Sequence, residues 1–169
     1  YKDLSLFGRA KIGARWLYNR SGLGATNHFE AGGFIRSSED QPYPDIQFHF
    51  LPAAMSYDGS SKVQQHGFQA HVGPMLPLSR GAVTLNSADP LQAPRIAFNY
   101  LSEPEDWRVF REAIRAARRI FAQPAMAAVA GVELSPGVGE QTDAQLDEFI
   151  RNRAESAYHP CGTCLSLIH

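Results

Sequence analysis

The stretch Ala157-Tyr158-His159-Pro160-Cys161-Gly162-Thr163-Cys164 places a histidine, a proline and a C-x-x-C pair side by side. Three chemistries are open to it: a metal or redox site, a general base, or a plain turn. A structural zinc needs two more ligands at compatible spacing, for which His159 and His169 are the available histidines. A redox pair needs a strand before it and a helix N-terminus beneath it to lower the thiol pKa. A helical pattern precedes Cys161 instead, and five residues follow Cys164. Two small buried side chains flanking a Gly-Thr turn is therefore the preferred reading of the cysteines. His159 stands apart from them. Pro160 biases it toward extended backbone, and an imidazole titrates near operating pH, which suits general acid–base work.

The other histidines are His28, His49, His66, His71 and His169. His49 has context. In DIQFHFLP, residues Ile46, Phe48 and Phe50 alternate with Gln47 and His49. Period two puts Gln47 and His49 on the face away from the aromatics. Arg108, Arg111, Arg115, Arg118 and Arg119 crowd one helical segment. A phosphate-binding face is one reading. Glu105, Asp106 and Glu112 are interleaved, so a solvated face laced by i,i+4 pairs is the better one. No G-x-G-x-x-G follows a strand, no P-loop is present and no G-x-S-x-G elbow occurs.

These side chains must be positioned by elements whose pattern changes along the chain. Residues 11–20 place Ile12, Trp16 and Leu17 on one helical face, with Gly22 and Gly24 ending the helix. ATNHFEAGGFIRS reads as a strand or paired strands bent at Gly32 and Gly33, and residues 36–44 as a polar loop. DIQFHFLP is a strand and AMSYDGSSKVQQH a loop. GFQAHVGPMLP is a strand interrupted at Gly73-Pro74, Ala82 to Asn86 a strand, and RIAFNYL a short extended piece. Helices follow. Ser102 with Glu105 predicts a capping box ahead of Trp107, Phe110, Ile114, Ala117 and Phe121, and Pro124 ends that run. Thr142 with Gln145 predicts a second box ahead of Leu146, Phe149 and Ile150. Strands first and helices second argue for α+β, an antiparallel sheet covered on one face by helices.

The totals set the frame. A chain of 169 residues, 44% hydrophobic and 20% charged, suits one globular unit. A formal net charge of -1 gives no reason to expect nucleic acid or a strongly anionic surface as partner. No run approaches the roughly 18 apolar residues of a membrane span, and the first residues lack the apolar core of a secretory signal. Two cysteines make no disulfide framework, which favours a reducing compartment.

SAYHPCGTC resembles the histidine motif of the glucose–methanol–choline (GMC) flavin oxidoreductases. PLSRGAVTLNSADP, PRIAFNYLSEPEDW and ELSPGVGEQTDAQLDEFIRNRAESAYHPCGTC resemble the C-terminal part of that family. GLGATNHFEAGGFIRS and PDIQFHFLPAAMSYDG are similar to its choline-oxidising branch. The resemblance implies a mixed, largely antiparallel substrate-domain sheet backed by helices, spanning residues 1–164. It implies FAD as cofactor in the whole protein and choline or a related small alcohol as substrate, oxidised toward the aldehyde in glycine betaine synthesis. It implies His159 as the base that takes the alcohol proton and His49 as a histidine that hydrogen-bonds the substrate oxygen. It implies Phe29 as an aromatic wall able to attract a quaternary ammonium, with Tyr158 and Ala157 beside the base. No metal is implied.

The departures carry their own expectations. The family's flavin-binding half is absent, and Leu165-Ser166-Leu167-Ile168-His169 replaces the basic residue, Met and Gly that continue the pattern. The chain thus reads as an excised, inactive substrate domain whose partner is the missing flavin domain. Its last five residues read as an artificial or frameshifted tail. The cut is expected to expose apolar surface and favour self-association. The whole protein is expected in the cytoplasm, or held peripherally at the inner membrane. Two alternatives from other classes are a free-standing quaternary-ammonium-binding module and a non-catalytic oligomerisation fragment.

Overall fold

The computed structural model describes residues 5–54, 66–159 and 161–162. Three α-helices and five strands are present among them: α1 Leu6–Asn19, β1 Ala31–Ile35, β2 Ile46–Leu51, β3 Gln69–Pro74, β4 Ala82–Thr84, β5 Arg95–Ala97, α2 Pro104–Phe121 and α3 Asp143–Arg153. Strands β1, β2 and β3 form an antiparallel sheet in that order, and β4 pairs with β5 in a separate antiparallel ribbon. The expected α+β order holds, with every ladder among the described residues antiparallel.

The alternation in β2 explains where the core sits. Ile46 and Phe48 are buried on the face that α2 covers, where Ile46 packs with Val109 and Ala113, and Ile35 and Val72 close around them. Ile114 of α2 joins Leu146 and Ile150 of α3 in a second cluster. Phe50 is only half-buried, and its ring lies 5.5 Å from Phe68 and 6.3 Å from Phe121. Leu51, on the other face with Gln47 and His49, is buried at the strand end. The buried residues of α2 are Asp106, Val109, Ala113, Ile114 and Ala116; Ile114 is on the stripe that the spacing picks out, with Trp107 and Phe110 packed against its cluster, while the others lie beside that stripe.

Several expectations are corrected. Helix α1 starts at Leu6, where the Ser5 side chain accepts from the Gly8 N–H, and ends at Arg20 in the left-handed region (φ 56°), before Gly22 and Gly24. The chain does not bend at Gly32 and Gly33. Both pair in register with His49 and Phe48, and a Cβ at Gly32 would meet the Phe48 carbonyl at 3.1 Å. Pairing in β3 runs through Gly73 to Pro74, which lies at the strand's last position, where a missing N–H is tolerated. Strand β4 stops at Thr84, short of Asn86. Ser102 and Glu105 make no capping box. Glu103 is the N-cap without a side-chain bond, Pro104 opens the helix, and Glu105 pairs with Arg108 instead.

The Thr142–Gln145 box is present as expected. The expected loop largely falls on residues 55–65, and Cys164 and the tail also lie outside the described residues.

Four of the five arginines of α2 are structural, but not through i,i+4 pairs. Arg108 and Arg115 pair at i,i+3 with Glu105 and Glu112. Arg111 reaches Asp147 at 2.8 Å, Arg115 also meets Asp143, and Arg118 grips Glu133 at 2.7 Å, so α2 is tied to α3 and to the segment before it. Asp106, buried on α2, accepts from the N–H groups of Leu78 at 2.7 Å and Ser79 at 2.9 Å and from the Ser79 hydroxyl. Ser79 Oγ in turn accepts from Ser102 N at 2.9 Å and Glu103 N at 3.3 Å. The cap that α2 lacks locally is thus supplied by a hydroxyl more than twenty residues upstream.

Candidate active site

His49 lies mid-strand on β2, on the sheet face opposite α2. Its two cross-strand neighbours differ. Gly32 on β1 offers no side chain, while His71 on β3 offers an imidazole. The room over Gly32 is used by Phe29. The side chains of Thr26 and Asn27 accept from the N–H groups of His28 at 3.0 Å and Phe29 at 3.1 Å, a turn chemistry typical of such residues. His28 adopts the left-handed region (φ 73°), and the Phe29 ring then meets His49 edge-on, with centroids 5.6 Å apart. Two of the residues singled out in the sequence, Phe29 and His49, are brought together.

The His159 segment leaves α3 in extended form. Tyr158 has φ 59°, and its N–H bonds Ser156 Oγ at 3.0 Å. That hydroxyl lies 2.9 Å from Tyr100 OH, whose ring stacks on Phe98 at 5.0 Å. Ala157, Tyr158 and His159 are all exposed. Tyr100 anchors the segment, but no hydrogen bond or ring contact joins His159 to His49 or Phe29 among the described residues. Cys161 is exposed and unpaired, which corrects the expectation of a buried thiol there; Gly162 has φ 99°, and Thr163 and Cys164 lie outside the described residues. No group of three or more His, Cys, Asp or Glu able to hold a metal occurs among the described residues.

Three features went unread in the sequence. His71 is half-buried beside His49, and burial pushes its pKa below the usual histidine value, with His49 acting in the same direction. Glu155 acts on it in the opposite sense, so the segment leading to His159 runs within electrostatic reach of β3. Glu30, bonded to the Thr26 hydroxyl, lines an open polar concavity of about 470 Å³ with Gly22, Ala25, Thr26 and Asn27. Cross-strand pairing of His49 with His71 depends on a register that no local pattern in either strand displays. Glu30 directly follows Phe29 and could have been found by asking which charge lies beside the aromatic.

No helix among the described residues is long and apolar enough to cross a membrane. In the described residues the helix N-termini are capped by Ser5, opened by Pro104 or closed by Thr142 and Gln145, and none follows a glycine-rich phosphate cradle. Gly32, His49 and His71 lie side by side on the sheet face opposite α2.

Comparison with known proteins gives this geometry a context. The profile of the GMC oxidoreductase family matches residues 77–165. Over 164 residues the chain is 57% identical to the oxygen-dependent choline dehydrogenases of Cronobacter sakazakii and Escherichia coli K12, covering 97% of this chain. It spans 29% and 30% of those relatives' lengths. Pyridoxine 4-oxidase from Mesorbium loti superposes with a TM-score of 0.72 at 27% identity, over 83% of this chain and 28% of that one. A formate oxidase superposes with a TM-score of 0.77 at 23% identity, over 92% of this chain and 32% of that one, and shares the fold. An Aspergillus oryzae RIB40 formate oxidase, solved to study the effect of a mutation on FAD modification, gives a TM-score of 0.75 at 22% identity over 92% of this chain and 32% of that one. With the family profile matched over more than half its length, this chain belongs to the GMC oxidoreductases.

Proposed function

We propose that residues 1–164 are the substrate-side part of an FAD-dependent choline dehydrogenase, which oxidises choline to betaine aldehyde together with a flavin-binding part of the same polypeptide. The observation that carries this reading is the Phe29–His49 pair on the sheet face opposite α2, 5.6 Å apart, in a chain 57% identical to choline dehydrogenases. An aromatic ring beside a hydrogen-bonding imidazole suits a substrate with a quaternary ammonium at one end and a hydroxyl at the other. The ring face attracts the cation through its quadrupole. The imidazole fixes the oxygen.

In this reading His49 orients the alcohol oxygen and His159 takes its proton. Tyr158 and Ala157, next to His159, line the same pocket. The Glu30 carboxylate, one residue from Phe29, adds negative charge where the cation enters. FAD, when bound, supplies the hydride acceptor. The chain's own contribution is binding, orientation and the proton. Exposed apolar side chains on the β4–β5 ribbon and its loop, Leu85 at 84% and Leu91 at 92%, fit contact with the rest of the polypeptide and leave this chain prone to associate by itself, while without the flavin-binding part it is inactive. The tail 165–169 plays no part in the reading. The whole protein belongs in the cytoplasm or at the inner membrane's edge.

A chimera tests this. The chain's 164 matching residues replace their counterparts in the E. coli relative, and choline-dependent oxygen uptake is measured. Choline oxidation is expected. Phe29→Ala should raise KM for choline more than for its uncharged isostere 3,3-dimethylbutan-1-ol. A folded, FAD-loaded chimera that ignores choline contradicts the substrate; an equal effect on both alcohols contradicts the role of Phe29.

A further inference from the structure

The sheet face that bears His49 carries a second imidazole with no role in the proton transfer described above. His71 is the register partner of His49 across the β2–β3 ladder, so both side chains stand on one face with Cβ atoms about 5 Å apart. His71 is also held from its own strand. Gln69 Nε2 lies 2.8 Å from His71 Nε2. An amide nitrogen only donates, so the ring nitrogen it meets accepts. That requires neutral His71 with its proton on Nδ1. The surroundings favour the same state: burial and His49 both disfavour a charge on His71, and Glu155 opposes them. Among the described residues, the titratable groups that act on His71 are His49 from β2 and Glu155 from the segment after α3, while Gln69 on β3 is neutral.

We infer that His71, clamped by Gln69 as a neutral imidazole, is a positioning residue for His49. With Gly32 on one flank and His71 on the other, His49 has a single side-chain wall across the ladder. A neutral wall confines the ring without competing for its proton. A charged one would repel the cationic form of His49 and the cationic substrate alike. Its catalytic consequence rests on the alcohol-oxidation reading above, whereas the clamp is a property of this chain.

Two measurements separate the clamp from that reading. Histidine-selective ¹⁵N NMR of the 169-residue chain should show His71 at neutral pH as the Nδ1–H tautomer, and Gln69→Leu should abolish that single-tautomer signature. His71→Lys should move the His49 titration to lower pH, and His71→Gln should not. In the chimera, His71→Lys should shift the acid limb of the kcat/KM profile for choline downward and lower kcat/KM about tenfold, the size expected of one like charge nearby. His71→Gln, neutral and able to meet Gln69, should recover the original limb. A protonated Nε2 in His71, or a His49 titration indifferent to Lys at position 71, overturns the inference whether or not the chimera is active. Identical pH profiles for the Lys and Gln variants of an active chimera overturn it as well. An intact clamp in a chimera that ignores choline instead counts against the proposed function alone.

Discussion

Asp106→Ala removes the fastening between the β3–β4 connection and the start of α2. The carboxylate accepts from Leu78 N, Ser79 N and Ser79 Oγ, and its residue is 3% exposed. Hydrogen bonds to a charged group are worth about 1.5–3 kcal/mol each. The three are not additive, because Leu78 is exposed and its freed N–H finds water. The Ser79 donors are half-buried, and Ser79 Oγ also holds the Ser102 and Glu103 N–H groups in place. A loss of about 3 kcal/mol follows, somewhat more than a hundredfold in the folding equilibrium. Urea unfolding of the chain reads it as a lower midpoint at unchanged slope. Ser79→Ala should cost about 1–2 kcal/mol alone, and the double variant should lose at least about 1 kcal/mol less than the sum, since both act through one network. A loss under about 0.5 kcal/mol for Asp106→Ala, or strict additivity, refutes the reasoning.

Three further outcomes are expected. His71 binds its proton less readily when folded than its ordinary value of 6.5 implies, so the unfolded chain protonates first as pH falls. The stability that neutral His71 contributes is complete above that value and declines as pH drops below it; thermal unfolding from pH 8 to 5 should show a slope that His71→Gln flattens. Thr142→Ala removes one half of the α3 capping box and should cost about 1 kcal/mol by urea unfolding, with Thr142→Ser retaining most of it. Arg118→Ala frees Glu133 and the carbonyls of Gly137 and Glu140, so limited proteolysis should cut within 133–140 much faster, with a stability loss of about 2 kcal/mol.

What the sequence displayed depended on how local the cause was. The alternation in β2 and the Thr142–Gln145 box are written within a few residues, and both elements formed where expected. The start of α2 misled because Ser102 and Glu105 have capping spacing, while the hydroxyl that serves this helix is Ser79. The arginines of α2 find Asp143, Asp147 and Glu133, partners that spacing along one helix cannot reveal. The glycines at 32 and 33 signalled a bend, yet both lie within β1, and only Gly32 serves a close approach, to the Phe48 carbonyl. The pairing of Phe29 with His49 needed both the turn at His28 and the ladder register, one local and one not. His71 shows the same divide: its own strand is legible as a strand, but its neighbour is fixed only by the register of β2 on β3.

Anaerobic rapid mixing of the FAD-loaded chimera with choline tests the central claim most directly, because it isolates oxidation of the substrate from turnover with oxygen. Choline should bleach the flavin absorbance in a saturable phase, and His159→Ala should slow that phase by about 10²–10⁴-fold, the range for loss of a general base. Absorbance unchanged by choline, or a His159→Ala variant that bleaches at the original rate, would contradict the account.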